Sequence, residues 1–371
     1  MKIFSFFSGS GFLDLGFEDN GFDIVFVNEF NPQFMKAYQY ARKNMGIKPP
    51  AYGYYNGDVN VFLDNEDKRN ELIQNIDNAR EGGNLVGFIG GPPCPDFSIA
   101  GKNRGKEGDN GKLSLSYVNL IIQRQPDFFL FENVKGLWST KRHRAFFDEL
   151  KEMLHQAGYA TTERLVNALE YGAAQDRQRA LLFGVKSDLL GDHQEKGTIT
   201  DFPWNKNQVY TMEQINEVHW PENQDFVEGG KRPMPEGIPE ALTVQHWFDQ
   251  NHVETHPNAN HYFVPRAGLP KMQTYQEGDD SKKCYKRLHR WRYSPTAAYG
   301  NNEVHLHPYH ARRISAAEAL AIQSLPESFV LPPDMTLTDM FKTIGNGVPY
   351  MLSSGIAKTI HEYLADLGVG V

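Results

Sequence analysis

The sequence predicts an α/β protein built on a doubly wound, Rossmann-like sheet with a smaller loop-rich domain inserted, and three features predict it. Apolar runs of strand length alternate with helical stretches through the first 186 residues. Glycine-rich or polar turns follow several of those runs, where ligands gather in such sheets. The alternation fails after Lys186 and resumes near residue 309. The expected boundaries are therefore a sheet domain from residues 1–186 and 309–371, interrupted at 187–308.

The elements follow in order. "KIFSFF" (Lys2 to Phe7) reads as a buried strand, followed by the turn "SGSGF" and a short helix ended by Gly21. "FDIVFVNE" is a second strand. Asn31 can cap the next helix, with Pro32 at its first position and Gly46 just beyond its end. A charged helical stretch over 61–80 leads to the strand "LVGFIGG" and the loop "PPCPDFS". The helix "LSLSYVNLIIQR" precedes the strand "DFFLFENV", and a helix from about His143 to Gln156 stops at Gly158. "ALLFGV" (Ala180 to Val185) is one more strand. Residues 187 to about 305 are rich in Pro, His, Gln, Asn and aromatics with little periodicity. Helical patterning returns at "ISAAEALAIQSL" and after Pro349, so the final segment is expected to rejoin the sheet domain.

The totals narrow the class. Two cysteines far apart, Cys94 and Cys284, offer neither a disulfide framework nor zinc spacing, so a reduced, cytoplasmic protein without a metal is expected. No apolar run approaches the roughly 18 residues of a membrane span, and glycines and Asp14 interrupt the start before a signal-peptide core forms. No membrane partner is expected. The net charge is −8, yet eight cations between Ser281 and Arg313 face only Glu303, a local +7 that leaves −15 for the rest. One basic stretch on an acidic body suits a localised polyanion site, and a solvated face is the plain alternative.

Three strand ends carry candidate chemistry. In "FSGSGFLDLGF", Gly9 and Gly11 allow close backbone approach of a ligand, and Glu29 lies where an acid can hold ribose hydroxyls. Asp14 replaces the third glycine of the dinucleotide fingerprint. An acid there suits a nucleoside that carries an amino group and no phosphate. Cys94 sits between prolines that stiffen its loop, where an exposed thiol near positive charge can serve as a nucleophile; an inert buried cysteine is the alternative. Glu132 ends the apolar strand "FENV", where burial should raise its pKa and make it a proton donor; an N-cap or solvated strand end is the alternative. Arg177 and Arg179 in "QDRQR" share one face and by themselves say little.

Order and spacing say more. The glycine turn, the acid at strand two, "GDV", "PPCPDFS", "ENV", "QDRQR", a variable basic region, "RRISAAEALAIQSLPESF" and "GNGVP" resemble the ordered motifs of the DNA (cytosine-5) methyltransferases. The resemblance covers about residues 2–186 and 312–371. It implies a catalytic domain binding S-adenosyl-L-methionine, and it makes 187–308 the target-recognition region for double-stranded DNA. It further implies Cys94 as the nucleophile towards C6 of a flipped cytosine and Glu132 as the group at N3 and the exocyclic amine. One of Arg177 and Arg179, Arg179 for preference, would bind the cytosine O2. Phe7, Gly9, Gly11, Glu29, Asp58 and Leu113 would line the donor pocket, with Asn346 and Val348 closing it. Ser98 and the basic residues Lys282, Lys283, Lys286, Arg287, Arg290 and Arg292 would meet DNA, with neighbouring aromatics stacking or wedging beside bases.

Departures from the family pattern are local. Pro95 and Asp96 follow the cysteine where the family has glutamine, and Ser5, Phe6, Phe7 and Phe12 alter the first motif. The compact chain resembles bacterial modification enzymes that protect host DNA from a partner restriction endonuclease. A tRNA cytosine-5 methyltransferase is the runner-up, although the long variable region favours a duplex DNA reader. A nicotinamide dehydrogenase would leave Cys94 and Glu132 without roles, and a binding module without catalysis would not need the full set.

Overall fold

Every second residue of the first strand enters a core of aromatic rings, and that core organises the sheet. The computed structural model describes residues 1–93, 109–282, 284–299 and 303–368. In β1 (Lys2–Phe6), Phe4 and Phe6 are fully buried. They meet Phe26 of β2 (Asp23–Glu29) and Phe88 of β4 (Val86–Gly90) with ring centroids 5.0–5.9 Å apart. Tilted ring pairs at this spacing add to the area they bury.

The helices between these strands begin where the sequence places them. α1 (Phe12–Glu18) follows the glycine turn. α2 (Pro32–Asn44) is capped by Asn31, whose Oδ1 accepts from the Gln33 amide at 2.9 Å. A short edge strand, β3 (Tyr54–Asn56), precedes α3 (Val61–Asp64) and α4 (Glu66–Arg80). α5 (Asp109–Arg124) leads to β5 (Phe128–Val134), then to α6 (Lys135–Ser139) and α7 (Lys141–Gln156).

Two strands run where the sequence reading placed one. β6 (Tyr159–Asn167) and β7 (Gln178–Lys186) form an antiparallel pair, and β7 enters the sheet between β5 and β6. The order among the described residues is β3-β2-β1-β4-β5-β7-β6, extended by the two-residue strands β9 (Thr198–Ile199) and β8 (Gln194–Glu195). Strands β3, β2, β1, β4 and β5 are mutually parallel. The order reverses between β1 and β4, which puts the ligand crevice beyond the carboxyl ends of these two strands.

The sheet does not stop at Lys186. Thr198 pairs with Thr161, and Phe202 and Trp204 join the core that holds Phe183 and Tyr363. Past the expected boundary at 186, the chain therefore still packs with the sheet as far as Trp204. Beyond it come α8 (Met212–Glu217), α9 (Val244–Gln250) and α10 (Leu269–Met272) with long irregular connections. The boundary at 309 also cuts through a core. Val244, Phe248, Leu288 and Val304 pack with residues of α11 (Ala316–Ile322) and α12 (Leu337–Asn346), and with Phe12 and Phe34.

The chain end returns to its beginning. α13 (Tyr350–Asp366) crosses α1 so closely that a Cβ on Gly16 would lie 2.5 Å from the Ser354 backbone nitrogen. Ser10 Oγ and Thr343 Oγ1 are 2.6 Å apart, joining the glycine turn to α12. Among the described residues no helix is long and apolar enough to cross a membrane.

Candidate active site

The turn after β1 is built from left-handed residues: Phe7 (φ +55°), Gly9 (+57°) and Gly11 (+83°). A phenylalanine in that region is strained, and such strain gathers at ligand sites. The two glycines serve different ends. A Cβ on Gly9 would meet nothing within 4 Å, whereas one on Gly11 would lie 2.5 Å from the Tyr38 ring. Gly9 thus borders open space, and Gly11 is required by packing beneath.

Glu29 ends β2 beside this turn. Its Oε2 accepts from the Gly9 amide at 2.8 Å and its Oε1 from Asn31 at 2.7 Å. Burial pushes its pKa up, and these amides pull it back. Phe30, 71% exposed, follows directly and presents a bare ring beside the carboxylate; the sequence reading passed over it. Asp58 is exposed, with Oδ1 accepting from the Asn60 amide at 2.9 Å. Phe7 stands edge-on to Tyr117, and Leu113 lies against the same core. Gly347, between Asn346 and Val348, abuts the Phe12 ring at the start of α1. Carboxylates at two adjacent strand ends, an open glycine and apolar walls fit a nucleoside with hydroxyl and amino groups.

Asp14 requires a correction. Its side chain does not face the ligand side; it is fully buried, accepting from Ser5 Oγ at 2.8 Å and Tyr38 OH at 2.9 Å. Position 14 lies on the inner face of α1, so this acid cannot meet a ligand's amino group.

The second half of the site lies at the ends of β4, β5 and β7. The antiparallel register sets Arg179 opposite Val134 and Leu181 opposite Glu132. Arg179 Nε thereby comes 2.6 Å from Glu132 Oε1, with both side chains about nine-tenths buried. Burial raises the Glu132 pKa, and the Arg179 guanidinium opposes that shift without reversing it. A carboxylate held this way can accept hydrogen bonds when ionised and keeps its proton to higher pH than an exposed carboxyl.

The stem of the cysteine loop lies against this acid. A Cβ on Gly91 would be 2.5 Å from Glu132 Oε2, and Asn133 Nδ2 donates to the Pro92 carbonyl at 3.5 Å, the outer limit of a hydrogen bond. Gly91 and Asn133 make these contacts, and the sequence reading did not single them out although "GGPP" and "FENV" contain them. Gly91→Ala should displace the Glu132 carboxylate and lower kcat by about 10- to 100-fold, with little change in melting temperature; steady-state methylation and a thermal melt check this. Cys94 follows Pro93 directly in sequence and, like Ser98 and Lys283, lies outside the described residues.

Arg177 and Arg179 separate in role. Arg177 is buried, with Nη1 donating to the Ala297 carbonyl at 3.1 Å and Nη2 to the Gly345 carbonyl at 2.6 Å. It ties β7 to the returning segment and to α12. Arg179 is the member of the pair that meets Glu132.

The basic stretch is also corrected. Arg287 is 1% exposed and donates to the carbonyls of Tyr275, Met272, His307 and His310, and burial pulls its pKa down to about 10. Arg290 holds Glu277 through two bonds of 2.7 and 2.9 Å. Arg292 donates to Asn223 Oδ1 and the Gly278 carbonyl. All three guanidiniums fasten loops; Arg287 and Arg290 are buried and so turned away from phosphates, while Arg292 is half-buried. Lys282 is exposed and Lys286 half-buried. Arg287→Ala should cost about 3 kcal/mol, since the carbonyls of the buried Met272 and His307 lose a charged donor and two half-buried ones lose a further bond. Urea unfolding measures this, and the salt dependence of DNA binding should stay as in the wild type.

A glycine turn fit for a nucleoside and a buried acid–arginine pair against Gly91 suit a transferase that modifies a nucleobase. Residues 1–362 match the C-5 cytosine-specific DNA methylase family, and the chain belongs to it: it is a DNA cytosine-5 methyltransferase. It is 57% identical over 364 residues to the type II methyltransferase M.NmeDI of Neisseria meningitidis serogroup C, covering 98% of this chain and 84% of that one. It is 30% identical over 379 residues to the type II methyltransferase M.FnuDI of Fusobacterium nucleatum, covering 99% and 96%. The Dnmt2 methyltransferase of S. pombe shares its fold, with a TM-score of 0.61 at 15% identity over 98% of this chain and 99% of that one.

Proposed function

We propose that this enzyme uses S-adenosylmethionine as methyl donor and works on a cytosine turned out of the duplex, through a covalent bond between Cys94 and C6. The observation that carries this reading is the buried Glu132–Arg179 pair against the stem of the Cys94 loop. The donor supplies an electrophilic methyl group on a sulfonium sulfur. Gly9, Glu29, Asp58, Phe7 and Leu113 would hold it, with Asn346 and Val348 on the returning side.

Cytosine C5 is a weak nucleophile, and the protein's task is to strengthen it. The Cys94 thiolate adds to C6, forming a carbon–sulfur bond, while the displaced electron pair is drawn towards N3. Glu132 holds a proton or strong hydrogen bond at N3, and Arg179 faces O2, so the ring reaches an enamine. Its C5 would bond the methyl carbon as that carbon's bond to the sulfonium sulfur breaks, the electron pair leaving on sulfur as the neutral thioether S-adenosylhomocysteine. A base then removes the C5 proton and the carbon–sulfur bond breaks, restoring the thiolate and the aromatic ring. The attack requires the base outside the stack, because neither face of C6 is open within a duplex. Lys282 and Lys286 are the remaining cations of the basic stretch proposed for phosphate contact, with Lys283 and Ser98 as further candidates from the sequence.

The relatives named type II methyltransferases support a role in bacterial restriction–modification, in which cytoplasmic host DNA is protected from a partner endonuclease. The test offers the purified enzyme radiolabelled S-adenosylmethionine with either duplex DNA or tRNA, and follows with bisulfite sequencing of DNA from expressing cells. Label in DNA at one sequence context is expected. Label confined to tRNA, or no transfer from this donor, would overturn the proposal.

A further inference from the structure

Arg42 closes the last turn of α2 and is 1% exposed, a rare setting for a guanidinium. Its Nη2 donates to the Gly11 carbonyl at 2.7 Å, and its Nε lies 2.9 Å from Glu18 Oε2. Its Cζ stands 4.4 Å from the centroid of the Tyr38 ring. Tyr38 donates to the buried Asp14, which also accepts from Ser5. The underside of the glycine turn is therefore one polar unit drawn from β1, α1 and α2.

Arg42 joins this unit to the turn by a hydrogen bond to one atom. The Gly11 carbonyl accepts both the Leu15 amide, at 3.0 Å, and Arg42. That carbonyl sits where the turn passes into α1, and the amide of the same residue donates to the Ser8 carbonyl at 2.8 Å, so holding Gly11 holds the bond that closes the turn. Stability alone gives no reason for a guanidinium here. A buried ion pair is often matched or bettered by apolar residues of the same volume. What an apolar residue lacks is a donor for that carbonyl.

We infer that Arg42 is a positioning residue of the donor site: through the Gly11 carbonyl it holds the Phe7–Gly11 turn in its binding shape, and so sets donor affinity without entering the chemistry at cytosine. The inference rests on the reading that this turn binds the donor. Arg42 itself is too deeply covered to touch a ligand.

The test compares Arg42→Met, Arg42→Lys and Glu18→Gln with the wild type. Calorimetry measures binding of S-adenosylhomocysteine, and steady-state methylation separates donor KM from kcat. Arg42→Met should raise the dissociation constant and donor KM about tenfold, with kcat at saturating donor within about twofold. Arg42→Lys, which keeps a donor for Gly11 but loses the fork to Glu18, should fall between. DNA affinity should not move. If Arg42→Met does not fold, the Lys and Gln variants carry the comparison. Folded variants with unchanged donor affinity, or with kcat reduced as much as affinity, overturn the inference. A wild type that does not bind S-adenosylhomocysteine overturns the donor reading itself.

Discussion

Cys94→Ser should abolish methyl transfer, lowering the rate at least about 10⁴-fold, while the protein folds and binds DNA as before. The sulfur supplies what oxygen cannot. A thiol with an ordinary pKa of about 8.5 is partly ionised near neutrality and intrinsically nucleophilic, whereas a serine hydroxyl stays protonated with no base assigned to it here. Duplexes carrying 5-fluorocytosine give a second readout. Fluorine at C5 does not leave as a proton does, so the carbon–sulfur bond persists after methylation. With donor present, wild-type enzyme should be trapped on such a duplex, with the adduct located at residue 94 by mass spectrometry, and Cys94→Ser should not. A wild type that is never trapped would remove the covalent step from the mechanism.

Glu132→Gln should lower kcat about 10²- to 10⁴-fold, the range of a lost general acid. Glutamine keeps the shape and can still donate a hydrogen bond, so the residual rate reports how much of the role is proton transfer. The pH profile separates the parts. Burial raises the Glu132 pKa, so its protonated form survives to higher pH than that of an exposed carboxyl. The rate should rise with pH as Cys94 ionises and fall as Glu132 loses its proton. In Glu132→Gln the alkaline fall should vanish while the acid limb remains. An unchanged alkaline limb in the variant would assign that proton to another group.

Much of this architecture was readable from residue order. Strands such as "KIFSF" and "FFLFENV" are apolar on both faces because helices cover both sides, and that signal is strong. β6 was missed because "YATTERLVN" is half-buried through its middle and mixes Thr, Glu and Arg among its apolar positions, so neither alternation nor an apolar run marks it. β8 and β9 are too short to leave any pattern.

The site was legible in its motifs and less so in its side-chain directions. Glu132 and Arg179 meet through a pairing register that the linear sequence does not display. Gly91 matters because of an oxygen atom 41 residues further along the chain, which its own neighbourhood does not disclose. Charge was the least reliable guide. Arg287 and Lys282 look alike in a basic run, yet one is spent on four carbonyls and the other reaches solvent. Nothing in the composition of a loop says whether its cations fasten the loop itself or face a partner. Asp14 misled in the same way, since an acid in a ligand turn and an acid beneath it occupy adjacent steps of one helix.

The contact of Ser10 with Thr343, and of Gly16 with the Ser353–Ser354 backbone, bears on how the enzyme comes into being. The turn after β1 is roofed by residues that leave the ribosome more than 300 positions after it. A nascent chain therefore cannot complete this site until α12 and α13 have been made. Two fragments cut within the recognition region would each be inert, and activity would return only when they reassemble.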